Sequence, residues 1–246
     1  MTFHTPFEQF EIFPIFKLTL LTFDLSFTNL AATIICIVCL LITFLYLADK
    51  SYQYIPNNWQ IVMESTYQFI YAITSEQANR KGIKYFPQLF TIFLLIMFLN
   101  LSGLSPLTMT ATSHVIITFG LALSYFIAWV IIGIYELGPK FLYIFCPRNM
   151  PAWLLPLLIC IEFLSFCLRP ISLGVRLFAN MLAGHVLLYI LAGACVYLLL
   201  KLFVLAIPAF AIIGAIGVLE LGIGFLQSYI FTILLAIYLK DSLYSH

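Results

Sequence analysis

The stretch AFAIIGAIGVLELGIGFLQSYIFTILLAIYL, residues 209–239, decides the fold. Glu220 and Gln227 interrupt it, and Lys240 and Asp241 end it. As a helix rising about 1.5 Å per residue it is about 46 Å long, against a hydrocarbon core of about 30 Å. A membrane helix with that much excess length tilts strongly or projects beyond the bilayer. The run before it, residues 152–200, is longer still and carries Glu162, Arg169, Pro170, Arg176, Asn180 and His185. It reads either as two helices or as one long helix bent at Pro170. Between the two runs, Lys201 to Pro208 reads as the turn region.

The composition demands a membrane. Hydrophobic residues make up 63% of the chain and charged residues 9%, with a mean hydropathy of +1.09. A water-soluble domain of this size needs far more polar surface. The apolar runs are about 20 residues or longer, not the alternating runs of about ten that build a membrane barrel. The fold class is therefore all-α, a polytopic membrane protein with a long, tilted C-terminal helical hairpin. Three further spans are expected, at about Leu30–Leu47, Pro87–Leu104 and His114–Tyr135, with His114 at an interface. Between the first two, Trp59, Val62, Met63, Tyr67, Ile70 and Tyr71 recur at three- and four-residue intervals. That spacing predicts an amphipathic helix lying at the membrane interface or against a partner. Residues 139–151 are expected to be a loop. The whole of 1–246 reads as one membrane domain: a 1–29 extension, peripheral spans and the amphipathic helix over 30–140, and the hairpin over 152–240.

Several function classes are excluded or disfavoured. The net charge of +1, from 11 basic and 10 acidic side chains, argues against nucleic-acid binding, which needs a basic surface. RKGIK at 80–84 is the densest basic run and is too short to mark lipid headgroup recognition. There is no GxGxxG, Walker loop or HExxH, so no nucleotide or catalytic-metal site is expected, and no cofactor. Of the six cysteines, Cys36 and Cys39 form a CxxC with no second pair, which reads as two small core residues. Asn100-Leu101-Ser102 fits a glycosylation sequon but falls inside an expected span. The opening residues lack a basic n-region and a cleavage site, which favours a mature or organelle-encoded amino terminus.

The polar groups of the last third carry the chemistry. A charge in hydrocarbon costs several kcal/mol, so Arg176 needs something to offset it. At about 100° per residue, Arg176 and Asn180 share a face, together with Ser172, Ala179, Ala183 and Ala194. Small residues let another helix approach closely. His185 points about 180° away, roughly 13 Å further along. On the final run Glu220 and Gln227 share a face, separated by about 10 Å. If the two runs pack antiparallel about a turn near residue 202, His185 falls opposite Glu220 and Arg176 opposite Gln227. Glu162 is too far along the helix to be a direct partner of Arg176. Arg169 reads as a side chain reaching to an interface. A carboxyl buried at mid-span, as Glu220 is, tends to take up a proton, and a group that titrates inside the membrane is what a proton relay needs.

RPISLGVRLFANMLAGH at 169–185 and GIGFLQSYIFTILLAIYL at 222–239, with TSHVIITFGLAL at 112–123, closely resemble subunit a of F-type ATP synthases. The likeness covers most of residues 50–240. The resemblance implies a hairpin wrapped around a rotating ring, with two aqueous half-channels meeting the ring from opposite sides. It implies that Arg176 is the essential arginine between the channels, with Asn180 and Gln227 as polar neighbours. It puts His185 and Glu220 at positions that hold a histidine and a glutamate of one channel in mitochondrial forms; bacterial forms commonly exchange the two. Glu162 matches an acidic position on a proton path, and Arg169 a site often held by a basic residue. The partners it implies are the c-ring, other F0 stator subunits such as subunit b, membrane lipid and protons, in the mitochondrial inner membrane. The chain would be a non-catalytic, proton-translocating subunit.

Two rival readings stand beside this. A secondary transporter usually shows repeat symmetry and broken helices, and no internal repeat is visible here. A structural membrane subunit of another respiratory complex would use Arg176 as a lock between helices. Arg176→Lys separates them, because a lock tolerates it in part and a proton barrier does not: buried lysine can lose its proton.

Overall fold

A computed structural model describes residues 10–17, 19–20, 23–24, 26–50, 56–104, 109–145, 154–201 and 203–243. Its helices are α1 (Asn29–Lys50), α2 (Asn58–Gly82), α3 (Phe86–Gly103), α4 (Val115–Leu137), α5 (Leu155–Lys201) and α6 (Phe203–Leu243). All but α2 are long and apolar enough to cross a membrane, so the chain is an all-α, multi-pass membrane protein. The three expected early spans coincide with α1, α3 and α4.

Ahead of α1 lie two small antiparallel ladders: β1 (Pro14–Phe16) pairs with β4 (Phe27–Thr28), and β2 (Thr19–Leu20) with β3 (Phe23–Asp24). The amide of Asn29 ties this hairpin to α1, accepting from the backbone N–H of Phe13 and Leu30 and donating to the carbonyl of Glu11. The Thr28 hydroxyl accepts from the Ala31 N–H, satisfying one of the orphan donors of the first turn. Cys36 and Cys39 are exposed on α1, not core residues as their apolar surroundings suggested.

The two long runs are each one helix. α5 has 47 residues with Pro170 inside it, and α6 has 41 with Pro208 inside it. Of the two readings of residues 152–200, the single helix is correct. The turn is also narrower than expected, because α6 starts at Phe203 and contains Pro208. Proline removes one helical hydrogen bond, a loss membrane helices tolerate when neighbours or local adjustments compensate.

The described chain falls into two compact units. In the one built from residues 44–94, 115–176 and 228–246, Ile70, Leu89, Ile92, Phe93, Trp129 and Phe231 are fully buried. α2 is a helix where the periodicity placed one, but its buried stripe is Gln60, Ile70, Ile73, Thr74 and Ala78. Trp59, Val62, Tyr67 and Tyr71 are exposed. The tyrosines cover the start of α3 edge-on, with Tyr67 4.8 Å and Tyr71 5.7 Å from the Phe86 ring. α4 stops at Gly138, whose φ of 57° lies in the left-handed region that a residue without Cβ adopts freely. The expected 139–151 loop is instead a 3-10 helix over its first part, within Gly138–Phe145. Apolar burial explains this: Phe141 and Ile144 are buried, and the Phe141 ring fills the space over Gly133. The rest of that expected loop, with Cys146, lies outside the described residues.

In the same unit Arg169 is paired within the chain. Its guanidinium bonds the Asp241 carboxylate at 2.8 Å and lies 3.7 Å from Glu162. It also sits over the Tyr238 and Phe166 rings at 5.2 and 5.7 Å. The first half of α5 is thereby tied to the end of α6. Asp241 provides the opposite charge, and a partly buried pair with aromatic flanks is screened less than a surface one. Truncating Arg169 or Asp241 to alanine is expected to lower the thermal midpoint of the assembled protein, with a coupling of about 1 to 3 kcal/mol between the two changes. Strictly additive shifts would show that the pair contributes nothing.

Candidate functional site

The other unit comprises residues 1–43, 95–114 and 177–227, and holds the second half of α5 against the first part of α6. Two polar pairs cross between these helices. The Asn180 amide donates to the Gln227 side-chain oxygen at 2.9 Å. His185 Nε2 stands 3.6 Å from Glu220 Oε1. The antiparallel register expected from the sequence is thus realised for His185 and Glu220. For Gln227 the partner is Asn180, one helical turn beyond Arg176, the residue expected opposite it.

Glu220 is 4% and Gln227 1% exposed. Neither carboxyl oxygen of Glu220 has a hydrogen-bond partner among the described residues, nor do His185 Nε2 and Gln227 Nε2. A buried carboxylate without donors is a costly place for a fixed charge. An imidazole and a carboxyl held just outside hydrogen-bond distance can exchange a proton after a small movement, each being donor or acceptor according to its state. Gly184 makes the approach possible. A Cβ there would lie 2.6 Å from Glu220 Oε1 and 2.9 Å from its carboxyl carbon, so the side chain lies directly on the α5 backbone.

The end of α3 and the turn after it close this unit around the pair. A Cβ on Gly103 would lie 3.6 Å from His185 Nε2 and 2.9 Å from Thr110 Cγ2. Asn100, with no exposure, donates to the Gly224 carbonyl at 3.0 Å, which also places the apparent sequon where no glycan can reach it. Thr110 donates to the Ser113 hydroxyl at 2.7 Å, and Thr112 is fully buried beside them on the 3-10 turn Ala111–Ser113. His114 follows this turn, partly buried, immediately before α4, and burial holds its imidazole below the ordinary histidine range. These residues were not singled out as site residues from the sequence. The available signal was Asn100, an amide alone in an apolar span, together with the hydroxyl run at 110–113.

Arg176 is exposed on α5, and among the described residues it forms no ion pair with a carboxylate. Leu168, Ser172, Val175, Ala179, Ala183 and Leu187 are exposed at three- and four-residue intervals along the same helix. Glu162 lies beside Arg169, in keeping with the expectation that it is no direct partner of Arg176. Among the described residues no group of His, Cys, Asp and Glu is arranged to hold a metal ion.

Comparison with known proteins shows the family. The family described as ATP synthase A chain matches residues 30–240. ATP synthase subunit a of Chondrus crispus is 44% identical over 245 residues, which is 98% of this chain and 97% of the relative. ATP synthase subunit a of Paramagnetospirillum magneticum is 41% identical over 244 residues, 98% of this chain and 99% of the relative. With α5 and both polar pairs inside the matched region, and α6 inside it up to residue 240, the chain belongs to the ATP synthase A chain family.

Proposed function

We propose that this protein is the stator subunit that conducts protons through the membrane part of an F-type ATP synthase. Protons pass by two half-channels to and from the carboxylates of a c-ring, so that flow turns the ring. The observation that carries this reading is Arg176, a guanidinium on the exposed face of a membrane-spanning helix among small and apolar neighbours, with no carboxylate paired to it among the described residues. Arginine keeps its charge even when buried. A fixed cation favours the ionised form of a passing ring carboxyl. It also bars protons from crossing directly between the channels. Each proton moving down the membrane potential then delivers about 2.3 kcal/mol per 100 mV to rotation.

His185 and Glu220 form the relay of one channel, set apart from Arg176 on the hairpin formed by residues 152–240. Asn180 and Gln227 hold the two helices in register beside the arginine, and Glu162 belongs to the path on the other side. The c-ring packs on the exposed face of α5, and further F0 stator subunits such as subunit b, together with lipid, cover other apolar surfaces. The order of histidine on α5 and glutamate on α6 supports the mitochondrial inner membrane as the location. Nucleotide chemistry belongs to other subunits of the complex.

Arg176→Ala and Arg176→Lys are both expected to abolish proton-driven ATP synthesis in sealed vesicles while the complex still assembles; synthesis at the wild-type rate in either would overturn the reading. Glu220→Gln, which keeps the shape and loses the titrating group, is expected to slow passive proton flux by about 100-fold, the usual scale for a positioned acid or base. Flux equal to wild type would remove Glu220 from the path. Gly184→Ala must displace that carboxyl, and is expected to reduce flux in an assembled complex, as proton uptake kinetics would report. Unchanged kinetics would mean that the seat of Glu220 on the α5 backbone does not matter.

A further inference from the structure

Gly174 lies two residues before Arg176, on the opposite side of α5. A Cβ placed on it would come within 3.0 Å of Phe119 Cα, 3.3 Å of Phe119 N and 3.3 Å of the Thr118 carbonyl oxygen. All three are backbone atoms of α4, so none can swing aside as the end of a side chain would. Ordinary carbon contacts are about 3.5 to 4.0 Å, so α4 and α5 touch here backbone to backbone, a closeness only glycine permits. Around the contact Leu173 is 1% exposed and Thr118 has no exposure, so the crossing is packed solid. Elsewhere on α5, Gly193 has nothing within 4 Å of a Cβ position. Close approach is therefore a property of this crossing and not of every glycine on the helix.

Direction gives the contact its meaning. Two residues along a helix are about 200° around its axis, so Arg176 points almost directly away from the contact with α4. Gly174 is the backstop of the turn that carries the guanidinium. Any bulk added at 174 moves that turn along the direction in which Arg176 projects. We infer that Gly174 is a positioning residue: its crossing with the Thr118–Phe119 backbone sets how far Arg176 reaches toward the partner that faces it. The inference rests on the reading of Arg176 as the fixed cation opposite the ring. It adds that α4, which carries none of the relay residues, sets the clearance between that cation and the rotor.

The test uses the complete ATP synthase in sealed vesicles, with ATP-driven proton pumping, passive proton leak and the amount of this chain in the complex all measured. Gly174→Ala is expected to assemble, keep leak at the wild-type level and lose about tenfold in coupled turnover, since misplacement by about 1 Å can cost roughly 100-fold. Gly193→Ala should match wild type in all three. Equal turnover in the two alanine variants would overturn the inference. If Gly174→Ala fails to enter the complex, Phe119→Gly with Gly174 kept decides, because it loosens the α4 backbone on which the crossing rests. Lower coupled turnover with wild-type leak supports the backstop, and wild-type turnover overturns it. Arg176→Ala is run alongside: normal turnover there removes the reading of Arg176 itself, whereas loss there with normal Gly174→Ala removes only the role of Gly174.

Discussion

The antiparallel register of α5 against α6 is the constraint on which the rest depends. It is set inside the apolar interior by few polar contacts, the amide pair Asn180–Gln227 in one unit and the ion pair Arg169–Asp241 in the other. Lipid tails offer no hydrophobic drive to choose one register of two apolar helices over another, so packing and hydrogen bonds must choose. A slip by one turn leaves amides and charges unpartnered where no water can serve them. The same register brings Glu220 against Gly184 and His185. Helix length matters for the same reason, since only helices of 47 and 41 residues have room for these contacts at separate depths.

Charge is handled in two opposite ways along α5. Arg169 is neutralised within the chain, by carboxylates on two sides and rings on its faces. Arg176, about two turns further on, is left exposed. A membrane helix bears that cost only where a partner or a function offsets it, and on the proposed reading a ring carboxyl would supply both. The paired cation ties α5 to the end of α6. The acid of α6 is treated differently again: Glu220 is buried, and among the described residues its carboxyl oxygens have no hydrogen-bond partner.

Much of this was legible in the sequence, and the misses have physical causes. Excess length beyond the bilayer identified the two long helices, and a constant antiparallel offset put His185 opposite Glu220. Pro170 left the number of helices in 152–200 open, because a proline that breaks a helix in water is accommodated in a membrane bundle. The role of Arg169 was missed because its partner is 72 residues away in the chain, at a point that reads only as the end of a span. On α2 the recurring apolar and aromatic residues showed the helix, but not its buried face, which includes Gln60, Thr74 and Ala78, side chains too polar or too small to stand out in the pattern. The contacts of Gly184 with Glu220 and of Gly174 with the α4 backbone had no legible signal, since a glycine in a membrane helix is common and its contacts exist only in three dimensions.

The most direct measurement is a map of the intact assembly, resolved well enough to place the side chain of Arg176. The expected result is the guanidinium at the surface of the ring, within a few ångströms of a ring carboxyl in at least one rotary position, with no carboxylate of its own chain bound to it. A guanidinium bonded to Glu162 or Asp241, with the ring packed against some other face, would contradict the account.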